Sequence, residues 1–132
     1  MGRTKFGFSG TRRGLSEGQK AALKAIFSER HGCEFHHGDC IGADADAHEI
    51  AEEAGMKIII HPPEKSAYRA FCKNFAEIKE PDDYLPRNRD IVDDSTVLIV
   101  APESLVEAMR SGTWYTTRHA RMKRKPIIVL HP

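Results

Sequence analysis

Three short apolar runs, Ile58-Ile59-Ile60, Val97-Leu98-Ile99-Val100 and Ile127-Ile128-Val129-Leu130, constrain the fold of this chain more than any other feature. None alternates apolar with polar residues, so a strand built from any of them must bury both of its faces. Between them lie segments whose apolar residues recur at helical spacing, punctuated by glycine and proline. Strands covered on both faces and joined by helices make a parallel sheet with right-handed crossovers. The expected architecture is α/β: a doubly wound parallel sheet of about five strands, ordered 3-2-1-4-5, with helices on both faces.

The elements follow from local pattern. Lys5-Phe6-Gly7-Phe8-Ser9 alternates aromatic residues and stops at Gly10, as a first strand would. Ser16 with Gln19 three residues on is a capping box, opening a helix that buries Ala22, Leu23, Ile26 and Phe27 and ends near His31-Gly32. Glu34 to His37 reads as the second strand. Gly42-Ala43-Asp44 opens a helix with Ala43, Ala47, Ile50, Ala51 and Ala54 on one face, stopped by Gly55. Lys57 to His61 is the third strand. Ala67, Phe71, Phe75 and Ile78 then fit a helix from Ser66 to Ile78. Pro81 to Leu85 reads as irregular, and Pro86 suits the first position of a short helix running to Asp94.

Composition narrows the function classes. A chain of 132 residues fits one domain, taken as 1–132, and its 20 basic and 19 acidic residues give a net charge of +1. Such a balance is poorly suited to gripping nucleic acid over the whole surface. No run approaches the roughly 18 apolar residues needed to span a bilayer, and the N-terminus has no secretory pattern. Cys33, Cys40 and Cys72 are odd in number and lack C-x-x-C spacing, so reduced thiols in a cytoplasmic protein are expected.

The chemistry concentrates where strands run into helices. Ser111-Gly112-Thr113-Trp114 opens a helix between two buried strands, leaving backbone N–H groups unpaired and the positive end of the helix dipole exposed. A phosphate suits that position, although Ser and Thr also favour it simply as caps. A second small-residue turn, Ser9-Gly10-Thr11-Arg12, follows the first strand, and Arg12 offers a bidentate grip on an anion. Arg13 beside it is the alternative.

Gly38, Asp39 and Asp44 lie around the turn after the second strand. Asp44 suits a ribose hydroxyl, or it complements the helix dipole, and His48 four residues on is placed to hydrogen-bond it. Asp39 and Asp44 are the candidate acid/base pair for any hydrolytic chemistry. Arg87 and Arg89 point in different directions on a helix, while Asn88 shares a face with Val92 toward the sheet. Either Trp114 or Tyr115 is available to stack on a base while the other packs inward.

His36, His37, Asp39, Cys40 and His48 match no established zinc spacing, and His36 and His37 point to opposite faces of a strand. Neither a metal nor a cofactor is expected. Arg118, His119, Arg121, Lys123, Arg124 and Lys125 make the last helix basic, as a solvated face or as a nucleic-acid patch.

Four segments in order carry a resemblance: Gly7-Phe8-Ser9-Gly10-Thr11-Arg12; His37 to Asp44 with Ala47; Pro86-Arg87-Asn88-Arg89; and Ser111-Gly112-Thr113 followed by Thr117-Arg118. With them the chain resembles the SLOG superfamily, the Rossmann-like group that includes DprA and the LOG phosphoribohydrolases, and most of all its small YspA-like proteins. The resemblance implies a nucleotide or nucleotide-derived phosphorylated ligand at the carboxyl edge of the sheet, and a homo-oligomer. In the LOG branch it extends to cleavage of an N-glycosidic bond by a glutamate three residues after the threonine of the glycine-rich turn. Thr116 stands there in this chain. Three classes follow: a binding module or sensor, a nucleotide N-glycosidase, and a DprA-like single-stranded DNA-binding protein.

Overall fold

The computed structural model describes residues 3–109 and 111–132. Six parallel strands form one sheet: β1 (Lys5–Gly10), β2 (Glu34–His37), β3 (Lys57–Ile60), β4 (Glu77–Ile78), β5 (Val97–Ala101) and β6 (Ile127–Val129). Their order is β4-β3-β2-β1-β5-β6, so the expected five-strand order holds, with one short strand added at an edge.

Helices α1 (Glu17–Phe27) and α2 (Ala43–Glu53) cover one face, and α3 (Tyr84–Asp93) and α4 (Gly112–Met122) cover the other. Strand alternation sorts the core accordingly. Phe6, Phe8, Phe35, Ile58, Ile60 and Ile99 pack with Leu23 and Phe27 of α1 and with Ala47 and Ala51 of α2. Leu98 and Val100 turn the other way, onto Val92 of α3 and Ala120 of α4. The aromatic cluster is tight: Phe27 lies edge-on to both Phe6 and Phe35, with ring centroids 5.6 and 5.1 Å apart.

The capping box at Ser16 and Gln19 is present in both directions. Gln19 does more than cap, because its buried amide donates to the carbonyls of Pro102 and Leu130 at 3.2 and 3.1 Å. It thereby ties α1 to the exits of β5 and β6.

The turns leaving β1 and β2 cross at contact distance. The Ala43 amide donates to the Thr11 carbonyl at 2.9 Å. Gly42 has φ +90°, and a Cβ there would strike the Arg12 carbonyl. Gly10 lies directly under Ala43, where a Cβ would meet the Ala43 methyl at 2.5 Å. Only glycine satisfies both the left-handed backbone and the closeness at position 42.

Residues 66–78 differ from the expected helix. The segment is irregular until β4, with Phe71 and Asn74 at positive φ. Its backbone groups find partners elsewhere: Ala70 and Cys72 amides donate to the Asp39 carbonyl and carboxylate, the Tyr68 carbonyl accepts from Ile41, and Ala76 donates to Ile58 at the sheet edge. The helical spacing of Phe71, Phe75 and Ile78 buries nothing, for all three are exposed. Periodicity without a surface to cover does not hold a helix. Helix α3 also begins earlier than expected, at Tyr84, so Pro86 sits in its first turn rather than at its first position.

Gly42→Ala is expected to destabilise the protein by about 3 kcal/mol or more, since it adds both backbone strain and a clash with main chain. Urea unfolding of the purified variant checks this; a loss under 1 kcal/mol would mean the crossing is not rigid.

Candidate functional site

Beyond the carboxyl ends of the strands, β1 leads to a helix on one face of the sheet and β5 to a helix on the other. A cavity of ≈ 610 Å³ opens at this divergence. Ser9, Gly10, Thr11 and Arg12 line it from the β1 turn, and Gly38 and Asp44 from the β2 turn. Arg87 and Asn88 line it from α3, and Ser111, Gly112, Thr113 and Trp114 from the start of α4. Every sequence-predicted site residue except Asp39 meets there.

At α4, the Ser111 hydroxyl accepts from the Trp114 amide at 3.3 Å, so Ser111 is a true N-cap. The Gly112 and Thr113 amides precede the first intrahelical bond, from the Tyr115 amide to the Ser111 carbonyl, and both residues line the cavity. Trp114 is buried against the cavity, while Tyr115 is turned outward and accepts from Arg89 at 3.1 Å.

Two arginines contribute positive charge. The Arg12 guanidinium lies over the Tyr68 ring, 3.8 Å from its centroid, with Tyr84 at 5.8 Å. Arg87 is buried beneath the floor. It donates to the carbonyls of Gly38 (2.6 Å) and His61 (3.1 Å), to Asn88 Oδ1 (2.7 Å) and to Cys40 Sγ (3.7 Å). All four partners are uncharged, so its charge is not cancelled by direct contact. Arg13, the sequence alternative, is exposed and bridges Glu103 at 2.9 Å on the rim.

Asp44 is buried, and one of its carboxylate oxygens accepts from the Cys40 amide at 3.1 Å. Burial raises its pKa to about 6, against the opposing pull of Arg87 and of backbone amides. Asp39 has a different occupation. It is fully buried, accepts from Arg69 Nε (2.7 Å) and the Cys72 amide (2.9 Å), and does not line the cavity. Asp39 and Asp44 therefore do not form a pair across the cavity.

The expected Asp44–His48 hydrogen bond is also absent. His48 Nδ1 meets His37 Nε2 at 2.9 Å instead, and His48 Nε2 meets the Lys73 carbonyl. The Asp39 amide donates to His37 Nδ1, so the ring proton of His37 is on Nε2 and passes the hydrogen bond to His48. A neutral donor chain results, running from backbone N–H to backbone carbonyl. Burial, then the neighbouring His48, push the His37 pKa well below its ordinary value.

Helix α4 carries fewer free cations than its sequence implies. Arg118 and Arg121 both reach Glu107, at 3.2 and 3.3 Å, and His119 reaches Asp93 at 3.1 Å. Thr116, at the position of the LOG glutamate, is buried and donates its hydroxyl to the Gly112 carbonyl at 2.8 Å.

The structure adds residues the sequence reading passed over. Tyr84 and Leu85 sit in the cavity wall, as do Glu103, Ser104, Val106 and Ala108 from the β5–α4 connection. A long loop leaving a strand at the topological switch point was the available signal for the second group. Tyr84 had none beyond its nearness to Pro86.

No family model and no curated protein sequence matches the chain. Solved structures do. The molybdenum cofactor binding protein from Rippkaea orientalis superposes with a TM-score of 0.73 at 19% identity, covering 98% of this chain and 77% of that one. The structural-genomics target TM1055 superposes with a TM-score of 0.67 at 15% identity, over 94% and 72% of the two chains. DNA processing protein A (DprA) from Streptococcus pneumoniae superposes with a TM-score of 0.67 at 22% identity, over 96% of this chain but 50% of DprA. The chain shares its Rossmann-like α/β fold with all three. Among the described residues no helix is long and apolar enough to cross a membrane.

Two buried groups give opposite pH signatures. The raised pKa of Asp44 favours folding at low pH, and this contribution is lost as pH rises from 3.8 to about 6. Asp44→Asn should therefore raise stability at pH 8 by about 3 kcal/mol and change little at pH 4. The lowered pKa of His37 works the other way, because below pH 6.5 the unfolded chain gains a proton that the folded chain refuses. His37→Gln should flatten the acid limb of the stability curve by about 1.4 kcal/mol per pH unit. Denaturant unfolding between pH 4 and 8 measures both.

Proposed function

We propose that this protein binds a nucleotide or nucleotide-derived phosphorylated ligand in the cavity at the carboxyl edge of the sheet, as a sensor or binding module. The observation that carries the reading is the charge arrangement. Arg87, hydrogen-bonded only to neutral groups among the described residues, and Arg12, stacked on Tyr68, share one cavity with the first residues of α4. Asp44 acts on Arg87 through space but makes no ion pair with it among the described residues, and an entering phosphate would supply the direct charge partner that Arg87 lacks. A volume of ≈ 610 Å³ suits a ligand of nucleotide size.

Within that reading, Gly112, Thr113 and Arg12 hold phosphate, Asp44 accepts a ribose hydroxyl, and Trp114 or Tyr84 flanks the base. Asn88 keeps Arg87 aimed, since its Oδ1 accepts from Arg87 Nε.

Two other activities have less support. N-glycosidic hydrolysis would ask Asp44 to act alone, because Asp39 is held by Arg69 and Thr116 replaces the LOG glutamate. Single-stranded DNA binding through α4 would ask Arg118 and Arg121 to leave Glu107. The molybdenum cofactor binding protein and DprA lend no choice between ligands at such low identity.

Gly112→Asp separates ligand binding from folding. A Cβ at Gly112 meets nothing nearer than Asn88 Nδ2 at 3.8 Å, and an acid in the first turn favours the helix dipole. The variant should keep its Tm. Thermal-shift measurements with inorganic phosphate, AMP, ADP-ribose, NAD and cyclic AMP should show at least one stabiliser of the unmodified protein, by about 2.7 kcal/mol at 100 times its Kd. That stabilisation should vanish in Gly112→Asp. No response to any of these compounds, or an undiminished response in the variant, would count against the proposal.

A further inference from the structure

On the α3 side of the sheet a second group of side chains has no part in the cavity described above. His36 of β2, His61 just beyond β3 and Asp94 at the end of α3 present one ligand atom each, all within 4.8 Å of one another. His36 Nδ1 and His61 Nε2 are 2.8 Å apart, and Asp94 Oδ2 is 4.0 Å from His61 Nε2. From these juxtaposed atoms we propose a binding site for a divalent transition-metal ion of the zinc type, with His36, His61 and Asp94 as ligands and water completing the shell.

The proton positions support this assignment. Glu34 Oε1 lies 2.8 Å from His36 Nε2 and can only accept, so the His36 ring proton is on Nε2 and the Nδ1 lone pair points at the site. A carboxylate behind a histidine in this manner is the usual outer support of a metal ligand. His61 now donates from Nε2 to that lone pair. An ion taking its place needs only a shift of the His61 proton to Nδ1, with no change of net charge. The two nitrogens must part from 2.8 Å to about 3.3 Å, the edge of a tetrahedron with metal–nitrogen bonds of about 2.05 Å, and Asp94 must close in by a similar amount. Asp94 is half-exposed and free to do so.

The surroundings favour a cation. His61 and Asp94 open onto a cavity of ≈ 370 Å³ that Asp82, Asp90 and Glu80 also line, against Lys79 and Arg87. Burial and the nearby Asp94, Asp82 and Asp93 raise the Asp90 pKa, a sign of concentrated negative charge. Imidazole with one carboxylate selects zinc, cobalt, nickel or copper over magnesium and calcium.

The comparable set on the opposite face, His37, His48 and Cys72, fails on the same criterion. The Asp39 amide donates to His37 Nδ1, which blocks the tautomer shift open to His61, so His37 Nε2 keeps its ring proton and offers no lone pair.

The test is a Co²⁺ titration of the untagged, EDTA-treated chain, followed by visible absorption and equilibrium dialysis. One ion per chain is expected, with a tetrahedral or five-coordinate d–d spectrum and no thiolate charge-transfer band. Asp94→Asn, a half-exposed change that should fold normally, should weaken binding about tenfold or more, and His61→Gln should abolish it. Failure to bind one Co²⁺, a thiolate band, displacement by excess Mg²⁺, or unaltered affinity in Asp94→Asn would each overturn the proposal. Circular dichroism of both variants guards against reading misfolding as lost ligation.

Discussion

The architecture depends on one close crossing of main chain. The turn after β1 and the turn after β2 touch through the Ala43 amide and the Thr11 carbonyl, with Gly42 against Arg12 and Gly10 beneath Ala43. This contact sets the N-terminus of α2 over the end of β1 rather than beside it. As a result Arg12 and Asp44, thirty-two positions apart in the chain, face the same space. The divergence of β1 and β5 to opposite helical layers then leaves that space open. A side chain at either glycine would push the turns apart and enlarge the floor on which Arg87 rests.

Buried polar groups are the second theme, and they are ordered by proton direction. On one face, the chain from the Asp39 amide through His37 and His48 to Lys73 fastens the irregular segment that precedes β4. On the other, Glu34, His36 and His61 line up across two strands. Successive residues of β2 thus serve opposite layers, as strand alternation requires. Asp39 belongs to this scaffolding because both its carboxylate oxygens are used, by Arg69 and Cys72. Asp44 keeps an unfavourable ionisation in a buried place, the pattern expected where function rather than stability selects a residue.

Much of this was legible in the sequence for identifiable reasons. The uninterrupted apolar runs at Ile58 and Val97 became buried inner strands, the run at Ile127 became a half-buried edge strand, and Ser16 with Gln19 three residues on marked its helix start. The cavity residues could be named because strand-to-helix junctions of a doubly wound sheet share one edge. Residues 66–78 could not be read correctly, since their spacing imitates a helix while their hydrogen bonds go to Asp39, Ile41 and the sheet edge. The partner of His48 was equally hidden: Asp44 is its neighbour by helical spacing, but His37 wins through a strand contact that no local pattern records. Glu107, which neutralises much of α4, lies in a loop whose path the sequence leaves free.

The ion pair between Arg13 and Glu103 spans the cavity rim from the two elements that diverge beneath it, with both side chains more than half exposed. A solvated pair of this kind contributes less than about 1 kcal/mol, and ordinary ionic strength weakens it further. Passage across the threshold is therefore cheap, and the rim discriminates little between one visitor and another. Discrimination falls to the interior, where Arg87, Asn88, Thr113 and Trp114 are buried and their positions are fixed by packing. Raising ionic strength should thus alter how often the doorway stands clear while leaving what fits inside unchanged.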